Sequence, residues 1–160
     1  MALSLEVQVS IQKMFIYQDG QLIDTYSIST GKNGVGEMRN SEQTPRGLHI
    51  IRAKIGAYCA PNTVFVGRRS TGEIYTPELR VKYPERDWIL TRIFWLSGLE
   101  KNKNRLGNVD TMQRYIYIHG TDDENTIGTP LSHGCIRMRN QDVIDLFKKV
   151  TVGESVFVEI

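Results

Sequence analysis

Cysteine is scarce in this chain of 160 residues: only Cys59 and Cys135 occur, far apart. A disulfide framework of the kind that staples small secreted domains is thereby excluded. A dominant charge is also missing. Lys and Arg number 20 against 18 Asp and Glu, a formal net charge of +2. The basic residues are scattered, so no nucleic-acid surface is expected. No apolar run approaches the length of a membrane span, and no membrane partner is expected. The first Lys is Lys13, and Ser4, Glu6, Gln8, Ser10 and Gln12 interrupt the apolar residues before it, so an export signal is not read here. The expected location is the cytoplasm, or the periplasm for a chain from which a leader has been removed. Internal repeats and low-complexity linkers are lacking as well. With 40% apolar residues, the length supports one well-buried core and is short for two, so residues 1–160 are expected to form a single domain.

What is present is mainly strand pattern. Leu5, Val7, Val9 and Ile11 alternate with polar residues, and Asp19-Gly20 after Met14 to Tyr17 is a two-residue hairpin signal. Leu22, Ile23, Tyr26 and Ile28 continue the pattern up to a loop with Gly31, Gly34 and Gly36, whose spacing fits neither the dinucleotide fingerprint nor the P-loop. Thr44-Pro45-Arg46-Gly47 reads as a turn, and His49 beyond it as a structural histidine. Residues 53–88, where Pro61, Pro77, Pro84, Gly67 and Gly72 break the apolar runs, read as an insertion of loops and short strands at the edge of the core. Trp88 to Leu96 reads as a buried strand, with Trp95 in the core. The polar stretch 98–113, with Lys101, Lys103 and Arg105, is a solvated loop and a candidate lid. With Asn140 as N-cap, Gln141 to Val150 reads as a helix, and Val156, Val158 and Ile160 as a closing strand. The fold class expected is mostly β, mainly antiparallel, with one α-helix near the C-terminus.

The chemistry gathers between Tyr115 and Asn140. As a strand, Tyr115 to His119 would place Tyr115, Tyr117 and His119 on one face and Ile116 and Ile118 on the other, leaving His119 over a cleft. In the run from Ser132 to Arg139, the same alternation puts His133, Cys135, Arg137 and Arg139 on one side, with Ile136 and Met138 inward. An imidazole and a thiol with guanidinium groups nearby suit nucleophilic sulfur chemistry. Cys59 reads as a small buried hydrophobe. Two other readings stay open: a zinc site built from His119, His133, Cys135 and Asp122 or Asp123, and a binding module without catalysis. Asp122-Asp123-Glu124 reads more simply as a solvated turn.

His119-Gly120-Thr121, then Ser132-His133-Gly134-Cys135, together with the Thr44-Pro45-Arg46-Gly47 turn, resemble the L,D-transpeptidase catalytic domain, also called the YkuD domain. The resemblance spans nearly the whole chain, with residues 53–108 outside a clear alignment. It implies a β-sandwich-like fold and attack on the bond after the diamino acid, diaminopimelate in many bacteria, of a peptidoglycan tetrapeptide stem or soluble muropeptide. No cofactor is implied. Cys135 would form a thioester, His119 would take its proton, and the Gly120 carbonyl would orient the imidazole. His133 and the backbone N–H groups around Gly134 and Cys135 would frame the oxyanion. Substrate contacts are expected from Arg137 or Arg139 to a carboxylate, and from Tyr117 and Ser132. Water as acceptor would make an L,D-carboxypeptidase of murein recycling, the reading favoured for a cytoplasmic chain; an amine would make a cross-linking L,D-transpeptidase. A murein-binding domain without catalysis is the bland alternative, and a carbapenem is the expected covalent inhibitor. Loss of one oxyanion donor typically costs roughly 3 to 4 kcal/mol, against about 2 kcal/mol from full thiol ionisation, so the Gly134-Cys135 backbone should outweigh the arginines.

Overall fold

Alternating burial along β1 (Leu3–Gln8) turns Leu3, Leu5 and Val7 inward and the residues between them outward. In the computed structural model, which describes residues 2–160, β1 runs antiparallel to β2 (Lys13–Gln18), and β2 to β3 (Gln21–Ser29). Asp19 (φ 49°) and Gly20 (φ 81°) make the two-residue turn that their sequence signals. The alternation expected to run on through Val9 and Ile11 stops instead at a 3₁₀ turn, Val9–Ile11, which leaves Ile11 half exposed. Gln12 is the cause: it enters the left-handed region (φ 52°) and spends its buried amide on Thr30, with bonds of 2.8 and 2.9 Å.

The remaining strands are β4 (Gly47–Ile55), β5 (Thr63–Val66), β6 (Arg69–Ile74), β7 (Ile89–Gly98), β8 (Tyr117–Gly120), β9 (Ile136–Met138) and β10 (Ser155–Glu159). Their order is β4-β10-β1-β2-β3-β9-β8-β7-β5-β6, and β4 also pairs with β7. Eight strands thus follow one another in a closed circuit, and the β5–β6 hairpin extends from the start of β7 beyond it. Two pairings are parallel, β1 with β10 and β8 with β9; the others are antiparallel. The fold is predominantly β.

Inside the circuit lies the main core, which includes Leu5, Ile16, Ile28, Ile51, Phe94, Ile118, Ile136 and Met138, closed by Val143, Leu146 and Phe147 of α2 (Asn140–Lys149). Residues 53–88 hold a second helix that the pattern reading passed over, α1 (Pro77–Lys82), capped by the Thr76 side chain and opened by Pro at its first turn. Its Leu79, with Tyr75, Val64, Leu90 and Trp88, forms a small cluster of its own, Trp88 meeting Tyr75 edge-on at 5.1 Å. Among the described residues no helix is long and apolar enough to cross a membrane.

Two further expectations change. Asn140 does not cap α2; it is the first residue of the helix, behind Arg139, and its side chain reaches away. The stretch 98–113 is no free flap. Asn104 is fully buried and donates to the carbonyls of Arg46 and Leu48 (3.0 and 3.1 Å), while Asp110 accepts from the Leu106 and Gln113 backbones (2.7 and 2.9 Å), so the loop is pinned to the start of β4.

Candidate active site

The site stands on the outer face of β7, β8 and β9. Register pairs His119 with Arg137 on β9 and with Ile93 on β7, and Trp95 with Tyr117. Because paired residues share a face, Tyr117, His119, Cys135 and Arg137 point outward together while Ile116 and Ile118 enter the core. Tyr115 departs from the expected strand. It lies before β8 with φ 57°, an unfavourable region for a residue with a Cβ. Its carbonyl meets Cys135 Sγ at 3.5 Å, and the Tyr117 N–H donates to the same sulfur at 3.3 Å.

His119 is fully buried, so it does not stand in the open cleft expected of it. Its Nδ1 lies 2.5 Å from the Gly120 carbonyl. Since a carbonyl can only accept, Nδ1 carries the proton and Nε2 the lone pair. That Nε2 is buried and has no protein partner among the described residues. Burial lowers the pKa of His119, chiefly by withholding water from the cation, and pushes the Cys135 thiol up to about 12. Burial thus favours the neutral form of both groups, an imidazole with a free lone pair and a protonated thiol on the same outer face of the sheet.

The turn before Cys135 is held by its neighbours. Thr44 Oγ1 accepts from the Gly31 N–H (2.8 Å) and donates to the Gly134 carbonyl (2.9 Å), which ties the Thr-Pro-Arg-Gly turn to the nucleophile loop. Gly134 has φ 119°, and a Cβ there would lie 3.0 Å from the Gln43 carbonyl, so glycine is required twice over. Ser132 Oγ donates to the Cys135 carbonyl (2.5 Å) and accepts from the Gly134 N–H (3.1 Å). This amends the expected oxyanion frame. The Gly134 N–H is already spent on Ser132, leaving Cys135 as the better backbone donor, and Ser132 braces the turn instead of facing a ligand.

Other expected residues are placed as follows. His133 is exposed, 3.5 Å from Glu42 through Nδ1, on the rim where three hollows meet. Arg137 sits 3.5 Å from Asp87 with its Nε buried and unpartnered. Arg139 is exposed at the start of α2, and it lines none of the three hollows. Among the described residues no three His, Cys, Asp or Glu side chains group as a metal site. In the turn expected to be solvated, Asp122 is half-buried and binds Arg80 (2.8 Å), while Glu124 is exposed and accepts from the Asn140 N–H (2.7 Å). Cys59 is half-buried against the Phe65, Ile93 and Tyr117 cluster.

Four contributors carry little signal in sequence. Asn140 donates to the Thr121 carbonyl (2.7 Å) and bonds Thr91 Oγ1 (2.5 Å), and a Cβ at Gly120 would fall 2.2 Å from its Oδ1, so this packing holds the His119-Gly120 end in place. Arg114 binds the carbonyls of Gly36, Glu37 and Gln43 at 3.3, 3.2 and 2.6 Å and so fastens the loop over Gly134. Asp87 lies beside Arg137. Arg68, in the β5–β6 turn, donates to Tyr117 Oη at 3.0 Å and lies over the rings of Trp95 and Tyr115 at 4.3 and 5.0 Å, which makes the half-buried Trp95 a platform instead of plain core.

Comparison with known proteins agrees with this geometry. The family model described as "L,D-transpeptidase catalytic domain" (YkuD) matches residues 4–158. The Escherichia coli (strain K12) protein named "Probable L,D-transpeptidase YbiS" is 51% identical over 43 residues, 27% of this chain and 14% of its own length. In fold, the chain is similar to an L,D-transpeptidase from Mycobacterium smegmatis (TM-score 0.59, 19% identity, 99% of this chain and 59% of that one). It is similar also to LdtMt1, solved in complex with imipenem (TM-score 0.59, 20% identity, 99% and 59%). The chain thus spans less than two thirds of each of these relatives.

Proposed function

The chain belongs to the L,D-transpeptidase catalytic domain (YkuD) family, and from that premise we propose that it cleaves the bond between the diamino acid and D-Ala of peptidoglycan tetrapeptide stems through a Cys135 thioester, with water as the favoured acceptor. The observation that carries the reading is the buried, unpartnered His119 Nε2 on the same face as the Cys135 thiol, its other nitrogen fixed on the Gly120 carbonyl. Cys135 Sγ attacks the carbonyl carbon of the diamino acid while its proton passes to His119 Nε2. The Cys135 N–H is the donor placed for the developing oxyanion. As the carbon–nitrogen bond breaks, Nε2 returns the proton to the departing amine of D-Ala. Water then gives a proton to Nε2 and attacks the thioester, the carbon–sulfur bond breaks, and the proton returns to sulfur. The net products are a tripeptide acid and D-Ala.

Water is favoured by charge. The hollow that holds Cys135 also carries Arg68 and Arg114, with Asp87 as its one carboxylate, already near Arg137. A cationic field repels an incoming ammonium and leaves water indifferent. One observation favours the amine acceptor instead. The adjoining hollow of about 260 Å³ is lined by Glu85, Asp87, Asp122 and Asp123, and its Arg80 and Arg86 are paired to Asp122 and Glu73. Mass analysis of products from a purified tetrapeptide stem decides between them. Tripeptide and D-Ala are expected, and stem dimers with little tripeptide would overturn the choice of water. Release of D-Ala by Cys135→Ala would remove Cys135 from its role. The imipenem complex of LdtMt1 supports a carbapenem as covalent inhibitor, expected as a mass adduct on Cys135 that Cys135→Ala lacks.

A further inference from the structure

The hollow beside Cys135, about 520 Å³, is lined on one side by Tyr115, Tyr117 and Arg68. Arg68 belongs to the two-residue turn Gly67-Arg68 (φ 57° and 65°) that joins β5 to β6, outside the strand circuit. Turns of this kind are the cheapest places to hang a side chain over a site, since the flanking strands fix their position. The guanidinium lies over the Trp95 and Tyr115 rings on adjoining sides, and one Nη donates to the Tyr117 phenol. Among the described residues no carboxylate lies within ion-pair distance of it, unlike Arg46, Arg80, Arg86 and Arg137, each of which has one. Arg114, on the same hollow, binds carbonyls and a hydroxyl, which leaves its charge unneutralised. Two guanidinium groups thus face a cavity whose one carboxylate, Asp87, is already beside Arg137. A guanidinium fork held against aromatic rings with donors left free suits a planar anion.

Position selects which anion. Tyr117 measures the gap: its N–H touches Cys135 Sγ at one end and its phenol meets Arg68 at the other. A carboxylate one residue past the scissile bond is too close to the sulfur to reach the guanidinium. A carboxylate at the end of a long aliphatic side chain on the acyl residue spans that length, and Ile89 and the tyrosine rings offer its methylenes apolar contact. We propose that Arg68 is a specificity-determining residue that binds the distal carboxylate of the diamino acid on the acyl side of the bond, so that the substrate class is a stem bearing that group as a free acid and not as its carboxamide. This rests on the proposed function for the placing of the acyl residue at Cys135.

The test separates the two claims. Binding is measured by calorimetry with Cys135→Ala, with and without Arg68→Gln, using synthetic tetrapeptides whose diamino acid ends in a carboxylate or in its carboxamide. Arg68→Gln keeps the methylene stem against Trp95 and removes the charge. The acid is expected to bind roughly 10-fold or more tightly than the amide, as for a hydrogen bond to a charged group. Arg68→Gln should bring the acid down to the level of the amide and leave the amide unchanged. Equal binding of acid and amide, or equal loss of both in Arg68→Gln, overturns the subsite. Wild-type turnover is followed on the same peptides. No release of D-Ala from either, with the acid preference in binding intact, would overturn the acyl-transfer reading and keep the subsite.

Discussion

Two histidines of this chain are buried to the same degree and do opposite things. His49, on β4, and His119, on β8, each have no exposed surface, and each sets Nδ1 against a backbone carbonyl, of Gly47 at 3.0 Å and Gly120 at 2.5 Å. Burial drives both toward the neutral form. They differ at the far nitrogen. His49 Nε2 accepts from Thr111 Oγ1 at 3.0 Å, while His119 Nε2 meets nothing. An unpaired buried acceptor typically costs about 1–3 kcal/mol, so the second imidazole is held in readiness at the expense of stability and the first contributes to it. One missing hydroxyl separates a structural histidine from a proposed base.

The largest expected effect tests that contrast directly. His119→Ala should slow acylation of Cys135 by roughly 10² to 10⁴, the range of a positioned proton-transfer group, and should cost less stability than the same change at His49, because its Nε2 has no partner to lose. His49→Ala should leave acylation of the folded enzyme unchanged and cost about 2–4 kcal/mol, since it opens a cavity and strands the Thr111 hydroxyl. Acylation followed by intact mass and unfolding followed in urea would read both. Equal kinetic losses would dissolve the distinction.

Acid should act through both buried histidines, His119 and His49, since burial lowers the pKa of each. The folded pKa of His49 is about 4 against the ordinary 6.5, so below pH 6.5 the unfolded chain takes up the proton first. Stability is therefore full above pH 6.5 and falls as the pH drops toward 4, by about 3 kcal/mol from this group. Urea melts at pH 7.5 and 4.5 measure the loss, and His49→Gln should flatten that slope. Thr44→Val comes next. It leaves the Gly31 N–H and Gly134 carbonyl without their partner, for about 2 kcal/mol of stability, and should lower acylation as well because the Cys135 N–H loses its support. Unchanged acylation in a folded Thr44→Val would mean that the turn holds itself. The smallest change is expected from Cys59→Ser, within about 1 kcal/mol and with acylation intact. With the Cys135 thiol pushed up to about 12, alkylation of this Cys59→Ser protein should keep rising through pH 9, and a plateau near pH 8 would contradict that.

Period-two patterning made the strand content legible, because burial on one face is a local property of sequence. It made the inward turn of Ile116 and Ile118 legible too, and the outward turn of Tyr117 and Cys135. What was not legible depends on partners far along the chain. Asn140 has the composition of an N-cap, yet it bonds to Thr91 and Thr121, in space that the missing Cβ of Gly120 leaves open. Arg68 and Arg114 look like ordinary surface cations until register folds the β5–β6 turn and the 36–43 loop over Cys135. The full burial of His119 was hidden for the same reason, since β8 lies between β7 and β9, whose residues come from distant parts of the chain. Helix α1 is a different case. Its Thr76-Pro77-Glu78 start carried a legible signal, masked by the short apolar pattern behind it.

The strand circuit also bears on how the molecule is made. Ser4 lies against Ser155, so the ring closes through a contact between nearly the two extremes of the sequence, the kind of pairing that must be preceded by a large loss of chain freedom. Folding should accordingly be slow for a protein of this size. Until β10 docks between β1 and β4, both strands present open hydrogen-bonding edges to other chains, and a nascent or truncated form that lacks Ser155–Glu159 is expected to aggregate before it can assemble the β8–β9 pair.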